Sequence, residues 1–177
     1  DLNGDGFPDF VSAEEFDDAI VWYRSTGGIS PGFVRTTVST SADGASSVYI
    51  ADVDGDGLDD ILSASMQDNE IAWYKNSGGA SPSFTRILIS NSASSARSVF
   101  AADLDNDGDV DVLSASYDDD TVAWYENDGA AFPGFTRRVI TTGANGASSV
   151  FVADVDGDGD NDVLSAAVLG FEIAWYE

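Results

Sequence analysis

The chain has 177 residues, of which 32 are acidic and 7 are basic, so its net charge at pH 7 is −25, and it contains neither cysteine nor histidine. The acidic excess argues against partners such as nucleic acid or anionic membranes, and the missing residue types exclude disulfides, thiolate or imidazole metal sites and the commonest catalytic base. Because 43% of the residues are hydrophobic, the composition predicts a packed core. No apolar run reaches the roughly 18 residues of a membrane span, so no membrane insertion is predicted.

The predicted elements recur along the chain with a period of 51 residues, which is marked by four Trp-Tyr pairs. These pairs begin at Trp22, Trp73, Trp124 and Trp175. Pro, Phe and Arg keep the same spacing through the first three copies. A period that never drifts indicates a rigid module that is repeated. We place the four units at residues 1–44, 45–95, 96–146 and 147–177.

Each complete unit is predicted to contain four strands, and the second unit shows their bounds. Its apolar runs are short, rich in β-branched and aromatic residues, and bounded by Gly, Asn, Asp, Ser or Pro, which is typical of strands. No stretch shows a helical period with caps, so no helix is predicted. The strands of this unit are expected at Ser47–Val53, Ile61–Ser65, Glu70–Lys75 and Phe84–Ser90.

The third strand of each unit is apolar on both faces. In the second unit, Ile71 and Trp73 lie on one face, and Ala72 and Tyr74 lie on the other. A sheet of this kind must be covered on both sides, as the stacked blades of a propeller are. The predicted fold class is therefore all-β, a β-propeller-like array of four-stranded antiparallel blades. The Trp-Tyr pairs are interpreted as blade core, with a sugar-stacking platform as the alternative.

The two outer units are incomplete. The first lacks its opening strand and the last lacks its closing strand, which leaves 14 strands, or about three and a half blades. A closed propeller needs at least about four blades. We therefore expect either a window of a longer array or self-association, in which a neighbouring chain completes the partial blades.

An Asp-rich loop of nine residues precedes the second strand position of each unit. Loops 1 to 4 follow the pattern D-x-[DN]-x-D-G-x-x-D and begin at Asp1, Asp52, Asp103 and Asp154. They hold more than half of the 32 acidic residues. Two carboxylates about 5 Å apart repel by roughly 3 kcal/mol at an effective dielectric of about 20, so such a loop needs a cation.

The oxygen-only ligand set predicts one Ca²⁺ per loop, up to four in the chain. Side chains at loop positions 1, 3, 5 and 9 and the position-7 backbone carbonyl suit calcium, with its roughly six to eight ligands, better than magnesium or zinc. An EF-hand is disfavoured because it needs Glu at position 12 and flanking helices, whereas every loop here has Ser at position 12. The predicted metal residues are Asp1, Asn3, Asp5, Phe7, Asp9, Asp52, Asp54, Asp56, Leu58, Asp60, Asp103, Asp105, Asp107, Asp109, Asp111, Asp154, Asp156, Asp158, Asp160 and Asp162.

The loops and their flanking strands resemble those of the FG-GAP/VCBS repeats, which include the repeats of integrin α-subunit propellers. Residues 98–129, SVFAADLDNDGDVDVLSASYDDDTVAWYENDG, resemble one such repeat over its whole length. The resemblance implies a β-propeller, calcium in the blade loops and an extracellular or cell-surface setting. Loop 1 departs from the pattern, because Asn3 removes one charge and Pro8 stiffens the loop.

No catalytic site is predicted. The chain has no His or Cys, and a carboxylate held on calcium is a poor general base. Two functions remain open: a calcium-stabilised extracellular protein with a structural or adhesive role, and a ligand-binding module that recognises protein or glycan. The repeated arginines are interpreted as ion-pair partners, with an anion or glycan contact as the alternative. They are Arg35, Arg86 and Arg137.

Overall fold

The computed structural model describes residues 1–177 and consists of 14 strands in four antiparallel sheets, one from each unit. Sheet 1 contains β1 (Phe10–Glu14), β2 (Ala19–Ser25) and β3 (Phe33–Ser39). Sheet 2 contains β4 (Ala45–Ala51), β5 (Asp60–Ser65), β6 (Glu70–Asn76) and β7 (Phe84–Ser90). Sheet 3 contains β8 (Ala96–Ala102), β9 (Asp111–Ser116), β10 (Thr121–Asn127) and β11 (Phe135–Thr141). Sheet 4 contains β12 (Ala147–Ala153), β13 (Asp162–Ala167) and β14 (Glu172–Tyr176).

The all-β class and the strand count predicted from the sequence are confirmed. Strands that follow one another within a unit are hydrogen-bonded neighbours in its sheet, so every sheet is a simple antiparallel meander. The structure contains no apolar helix of the length needed to cross a membrane. The four sheets do not close into a ring within this chain.

The first strand of unit 2 was predicted two residues too late. It spans Ala45–Ala51 rather than Ser47–Val53, because a bulge at Ser46 extends its pairing with β5. It ends early because the N–H of Val53 donates to the Asp60 side chain at 3.3 Å instead of joining the ladder. The other three strands of the unit agree with the prediction to within one residue.

The sheets stack face to face, and their first strands β4, β8 and β12 lie side by side. On one face of sheet 2, Leu62 and Trp73 share a core cluster with Val112 of unit 3. On the other face, Ile61 and Tyr74 share a cluster with residues of unit 1. Both apolar faces of the middle sheets are thus buried, and each large side chain contributes about 1.5–3 kcal/mol by leaving water. The interpretation of the Trp-Tyr pairs as core is confirmed for unit 2, where both rings are buried.

Side-chain hydrogen bonds also hold the segment that leads from each unit into the next. Asn69, in the hairpin between β5 and β6, accepts a hydrogen bond at 2.8 Å from the N–H of Ser95, the last residue of unit 2, which directly precedes β8 of unit 3. Asp18 and Asp120 occupy the same position in units 1 and 3 and accept equivalent bonds. All three adopt a positive φ, which Asn and Asp tolerate better than other non-glycine residues.

Ion pairs hold some of the repeated arginines in place. The pairs are Arg35–Glu14, Arg86–Glu70 and Arg138–Glu126. The ion-pair interpretation therefore holds for the arginines of units 1 and 2. In unit 3 the neighbouring residue forms the pair instead of Arg137, because it is Arg138 that lies opposite Trp124 and beside Glu126 on the sheet.

The outward face of sheet 4 has no covering sheet within this chain. Ile173 is 74% exposed and Trp175 is 47% exposed, whereas their counterparts Ile71 and Trp73 are buried. The same residue types therefore form core or surface depending on whether another unit packs against them.

Replacing Leu62 by Ala is expected to destabilise the protein by about 2–5 kcal/mol, because this side chain is fully buried between two sheets. The matched control is Leu164→Ala, which removes the same side chain from the half-covered face of sheet 4 and is expected to cost less than about 1.5 kcal/mol. Urea unfolding of both variants measures the difference. An equal loss for the two variants would show that the sheet 4 face is covered in solution.

Candidate metal centre

The nine-residue loops are folded by the carboxylate at position 1. In loop 2, Asp52 accepts hydrogen bonds from the N–H groups of Asp56 at 3.1 Å and Gly57 at 2.9 Å. Gly57 has a φ of 85°, a conformation that glycine adopts without the steric penalty of a side chain. The corresponding glycine N–H donates to the position-1 carboxylate in the other three loops as well. The loop is therefore wrapped around its own first carboxylate.

The carboxylate at position 9 fastens the loop to the sheet. Asp60 is buried, and its two oxygens accept hydrogen bonds from the N–H groups of Asn76 at 2.7 Å and Val53 at 3.3 Å. Asp111 is held in the same way by Asn127 and Leu104. Each oxygen keeps a lone pair, so hydrogen bonding does not prevent the same carboxylate from facing a cation.

Three carboxylates converge in each of loops 2, 3 and 4. The groups are Asp52, Asp54 and Asp60; Asp103, Asp105 and Asp111; and Asp154, Asp156 and Asp162. In each group the oxygens lie within 4.8 Å of one another. These residues occupy loop positions 1, 3 and 9, so the structure brings together three of the predicted ligand positions. Loop 1 forms no such carboxylate group, because its third position is Asn3.

Position 3 provides the test of whether these residues fit a metal ion. The Asp54 side chain is only 2% exposed, yet its Oδ1 has no hydrogen-bond partner. The Oδ1 of Asn3, the equivalent atom of loop 1, is also buried without a partner. A buried oxygen without a partner costs free energy, and a hard cation between the clustered carboxylates would satisfy it. The residues present therefore fit a divalent cation bound through oxygen.

Burial perturbs the acids at the base of the loops. It raises the pKa of Asp60 to about 6 and the pKa of Asp111 to about 6. Burial and the neighbouring Asp107 carboxylate also raise the pKa of Asp105. Burial thus makes the charged forms of these groups less favourable, and a bound divalent ion would favour them.

Positions 5 and 7 are arranged less uniformly than the sequence suggested. Asp56 pairs with Lys75 rather than joining the three-carboxylate group of loop 2. The Asp160 side chain accepts a hydrogen bond from Asn106 of the adjacent loop at 2.9 Å. Ligation by the backbone carbonyl at position 7, as for Leu58, stays a prediction.

Two residues near the loops were missed by the sequence reasoning. Lys75 forms ion pairs with Asp54 and Asp56, and the Glu177 carboxylate lies with Asp156 and Asp158 in a further cluster. Both residues directly follow a Trp-Tyr pair. Their shared position after the Trp-Tyr pair was the only sequence feature that could have identified them, but the charge of the residue at that position changes from unit to unit.

The stacked meanders and the Asp-rich loops together define a repeat protein with a candidate cation site of three carboxylates in each of units 2, 3 and 4. The chain belongs to the FG-GAP-like repeat family, whose model matches residues 1–63, 52–114 and 103–165. No curated protein is significantly similar to the chain in sequence.

A solved structure shares the fold. It is a lectin of Agrocybe aegerita described as recognising non-reducing terminal N-acetylglucosamine, with a TM-score of 0.62 and 19% sequence identity. The match covers 93% of this chain but only 45% of the lectin chain. This chain thus spans less than half of the lectin, and at that identity the similarity shows the fold alone.

Replacing Asp60 by Ala is expected to destabilise the protein by about 2–4 kcal/mol even in chelator, because two N–H groups lose their acceptor. The adjacent Asp59 is 45% exposed, so Asp59→Ala is the matched control and should change stability by less than about 0.5 kcal/mol. Urea unfolding in chelator measures both. A neutral Asp60→Ala variant would refute the fastening role.

Proposed function

We propose that the protein is a non-catalytic repeat module stabilised by calcium, with one Ca²⁺ in each loop. The observation that carries the proposal is the buried, unpaired oxygen of Asp54 beside the carboxylates of Asp52 and Asp60. A divalent cation would satisfy that oxygen and neutralise the three clustered charges together. The resemblance to FG-GAP repeats, which implies calcium in these loops, supports the same assignment.

Calcium fits this ligand set better than other divalent ions do. Zinc prefers nitrogen and sulfur ligands, and the chain has no His or Cys. Magnesium requires a tight octahedron with ligands at roughly 2.1 Å and retains much of its water, whereas calcium accepts a larger and more flexible set of carboxylates. Since the same carboxylates would be engaged by the ion, none is left as a general base, and we assign no reaction to the protein.

We further infer a propeller-like arrangement with a structural or adhesive role outside the cell. The side-by-side position of β4, β8 and β12 and the shared fold with the lectin support the arrangement. Extracellular calcium modules bind with dissociation constants of about 10⁻⁴–10⁻³ M, which suits solvent-exposed loops such as these. The uncovered Ile173 and Trp175 favour self-association or further units of the same kind, either of which would bury them.

Removing calcium is expected to lower the melting temperature. An ion present at about 100 times its dissociation constant stabilises the fold by roughly 2.7 kcal/mol per site, which corresponds to about 5–10 °C for a chain of this size. Differential scanning calorimetry with calcium, with chelator and with magnesium in place of calcium checks this. Magnesium should restore little of the loss, and an unchanged melting temperature in chelator would refute calcium binding.

The four sites are expected to be separate, because each loop belongs to its own unit. Titration calorimetry should therefore give four ions per chain for the wild type and three for Asp105→Ala, which removes one carboxylate of the loop 3 group. Asp119→Ala, at an exposed carboxylate of unit 3 outside the loop, is the control and should leave four ions. Loss of all four ions in Asp105→Ala would contradict independent sites.

Glycan binding is a second candidate function, supported by the shared fold with the N-acetylglucosamine-binding lectin. A polar crevice of about 160 Å³ lies between loops 1 and 2 and is the candidate location. Its lining includes the Asp59 carboxylate, which is 45% exposed and can accept hydrogen bonds, and glycines that leave the backbone open to a ligand.

A glycan screen in calcium buffer tests this second function. We expect glycans with terminal N-acetylglucosamine to bind, and Asp59→Ala to weaken that binding by about tenfold through loss of one hydrogen bond to a charged group. Asp43→Ala, at an exposed carboxylate outside the crevice, is the control. No binding to any glycan would leave the calcium-stabilised structural role as the function.

A further inference from the structure

The residue that follows each Trp-Tyr pair differs in charge between units. It is Arg24 in unit 1, Lys75 in unit 2, Glu126 in unit 3 and Glu177 in unit 4. The surrounding pattern of the loop is nearly constant, so this position is the main electrostatic difference between sites 2, 3 and 4. Its side chain lies at the edge of the loop of its own unit, as the contacts of Lys75 and Glu177 show.

In unit 2 the ammonium group of Lys75 lies against two carboxylates of loop 2. Its Nζ pairs with the carboxylates of Asp54 and Asp56, the latter at 2.8 Å, and lies 5.8 Å from the centre of the Trp73 ring. A lysine ammonium is charged at neutral pH, because its ordinary pKa is about 10.4. Loop 2 therefore carries a permanent positive charge between two of its candidate ligands.

In units 3 and 4 the same position adds negative charge. The Glu177 carboxylate lies within 4.8 Å of the Asp156 and Asp158 oxygens and enlarges the acidic cluster of loop 4. Glu126 occupies the equivalent position in unit 3, and its ion pair with Arg138 offsets part of its charge. The four loops thus differ in net charge in a definite order, from loop 4 as the most negative to loops 1 and 2 as the least.

We propose that the residue after each Trp-Tyr pair sets the calcium affinity of its own loop, and that Lys75 acts as a built-in cation which calcium must displace from loop 2. This inference rests on the proposed calcium function. It means that the four sites fill in sequence as calcium rises, with loop 4 first, loop 3 next, and loops 1 and 2 last. It also means that loop 2 keeps its shape without calcium, because Lys75 partly neutralises it.

The glycine at position 6 of each loop provides a separate reporter for each site. The N–H groups of Gly6, Gly57, Gly108 and Gly159 all donate to the position-1 carboxylate of their own loop. Ion binding to that carboxylate would therefore move each amide resonance. A titration of the ¹⁵N-labelled chain with Ca²⁺ alone, followed by NMR, gives four midpoints in one experiment.

The deciding variants exchange the charge at this position. Lys75→Gln should lower the Gly57 midpoint by about tenfold, since one positive charge leaves the edge of the site, and should not move the Gly108 midpoint. Lys75→Arg keeps the charge and should leave the Gly57 midpoint within about twofold of the wild type. The reciprocal Glu126→Lys should raise the Gly108 midpoint by about tenfold or more.

The outcomes separate this inference from the function on which it rests. If all four glycines respond to calcium but Lys75→Gln moves the Gly57 midpoint by less than about twofold, calcium binding stands and the role of Lys75 is overturned. If no glycine responds in the wild type, both are overturned. The expected order of midpoints in the wild type, with Gly159 lowest, supports the inference, and identical midpoints for all four loops would refute it.

Discussion

The aspartate at position 9 of each loop, which is buried in loops 2, 3 and 4, is the constraint on which the other features depend. In unit 2, Asp60 holds the N–H of Val53 inside the loop and the N–H of Asn76 at the end of β6. The Asn76 side chain then donates to the backbone oxygen of Leu2 in the preceding loop at 2.8 Å. One carboxylate thus closes its loop, ends a strand and orients the residue that joins two units, so a cation held by it would stabilise all three.

This arrangement places carboxylates at a buried position, where loss of hydration makes their charged form unfavourable. Desolvation raises the pKa of Asp60 to about 6, while Asp52 and Asp54 lie close by in the same cluster. The free energy of the loop can be lowered either by a bound cation or by a lysine from the neighbouring strand. In unit 2 that lysine is Lys75. The units therefore share a backbone and differ in electrostatics, which allows one fold to contain sites of different affinity.

The constant features of the repeat were predictable and the variable ones were not. The 51-residue period and the alternation around Ile71 and Trp73 determine the strands and their two buried faces, because packing requires the same residue types in every unit. The early end of β4 was missed because the hydrogen bond of Val53 to Asp60 overrides the strand propensity of valine. Lys75 was missed because only the register of β5 and β6 shows that it reaches Asp54.

The hairpin of unit 4 shows that neighbouring units, and not the repeat alone, decide how a unit is stabilised. Asp18, Asn69 and Asp120 each use a positive φ and a side-chain oxygen to hold the residue that directly precedes the first strand of the following unit. Phe171 occupies the same position with a φ of 51°, but it has no oxygen to offer and is almost fully exposed. A large aromatic residue in this conformation is strained. Any unit packed against sheet 4 would therefore have to be held by apolar contacts with Ile173 rather than by this hydrogen bond.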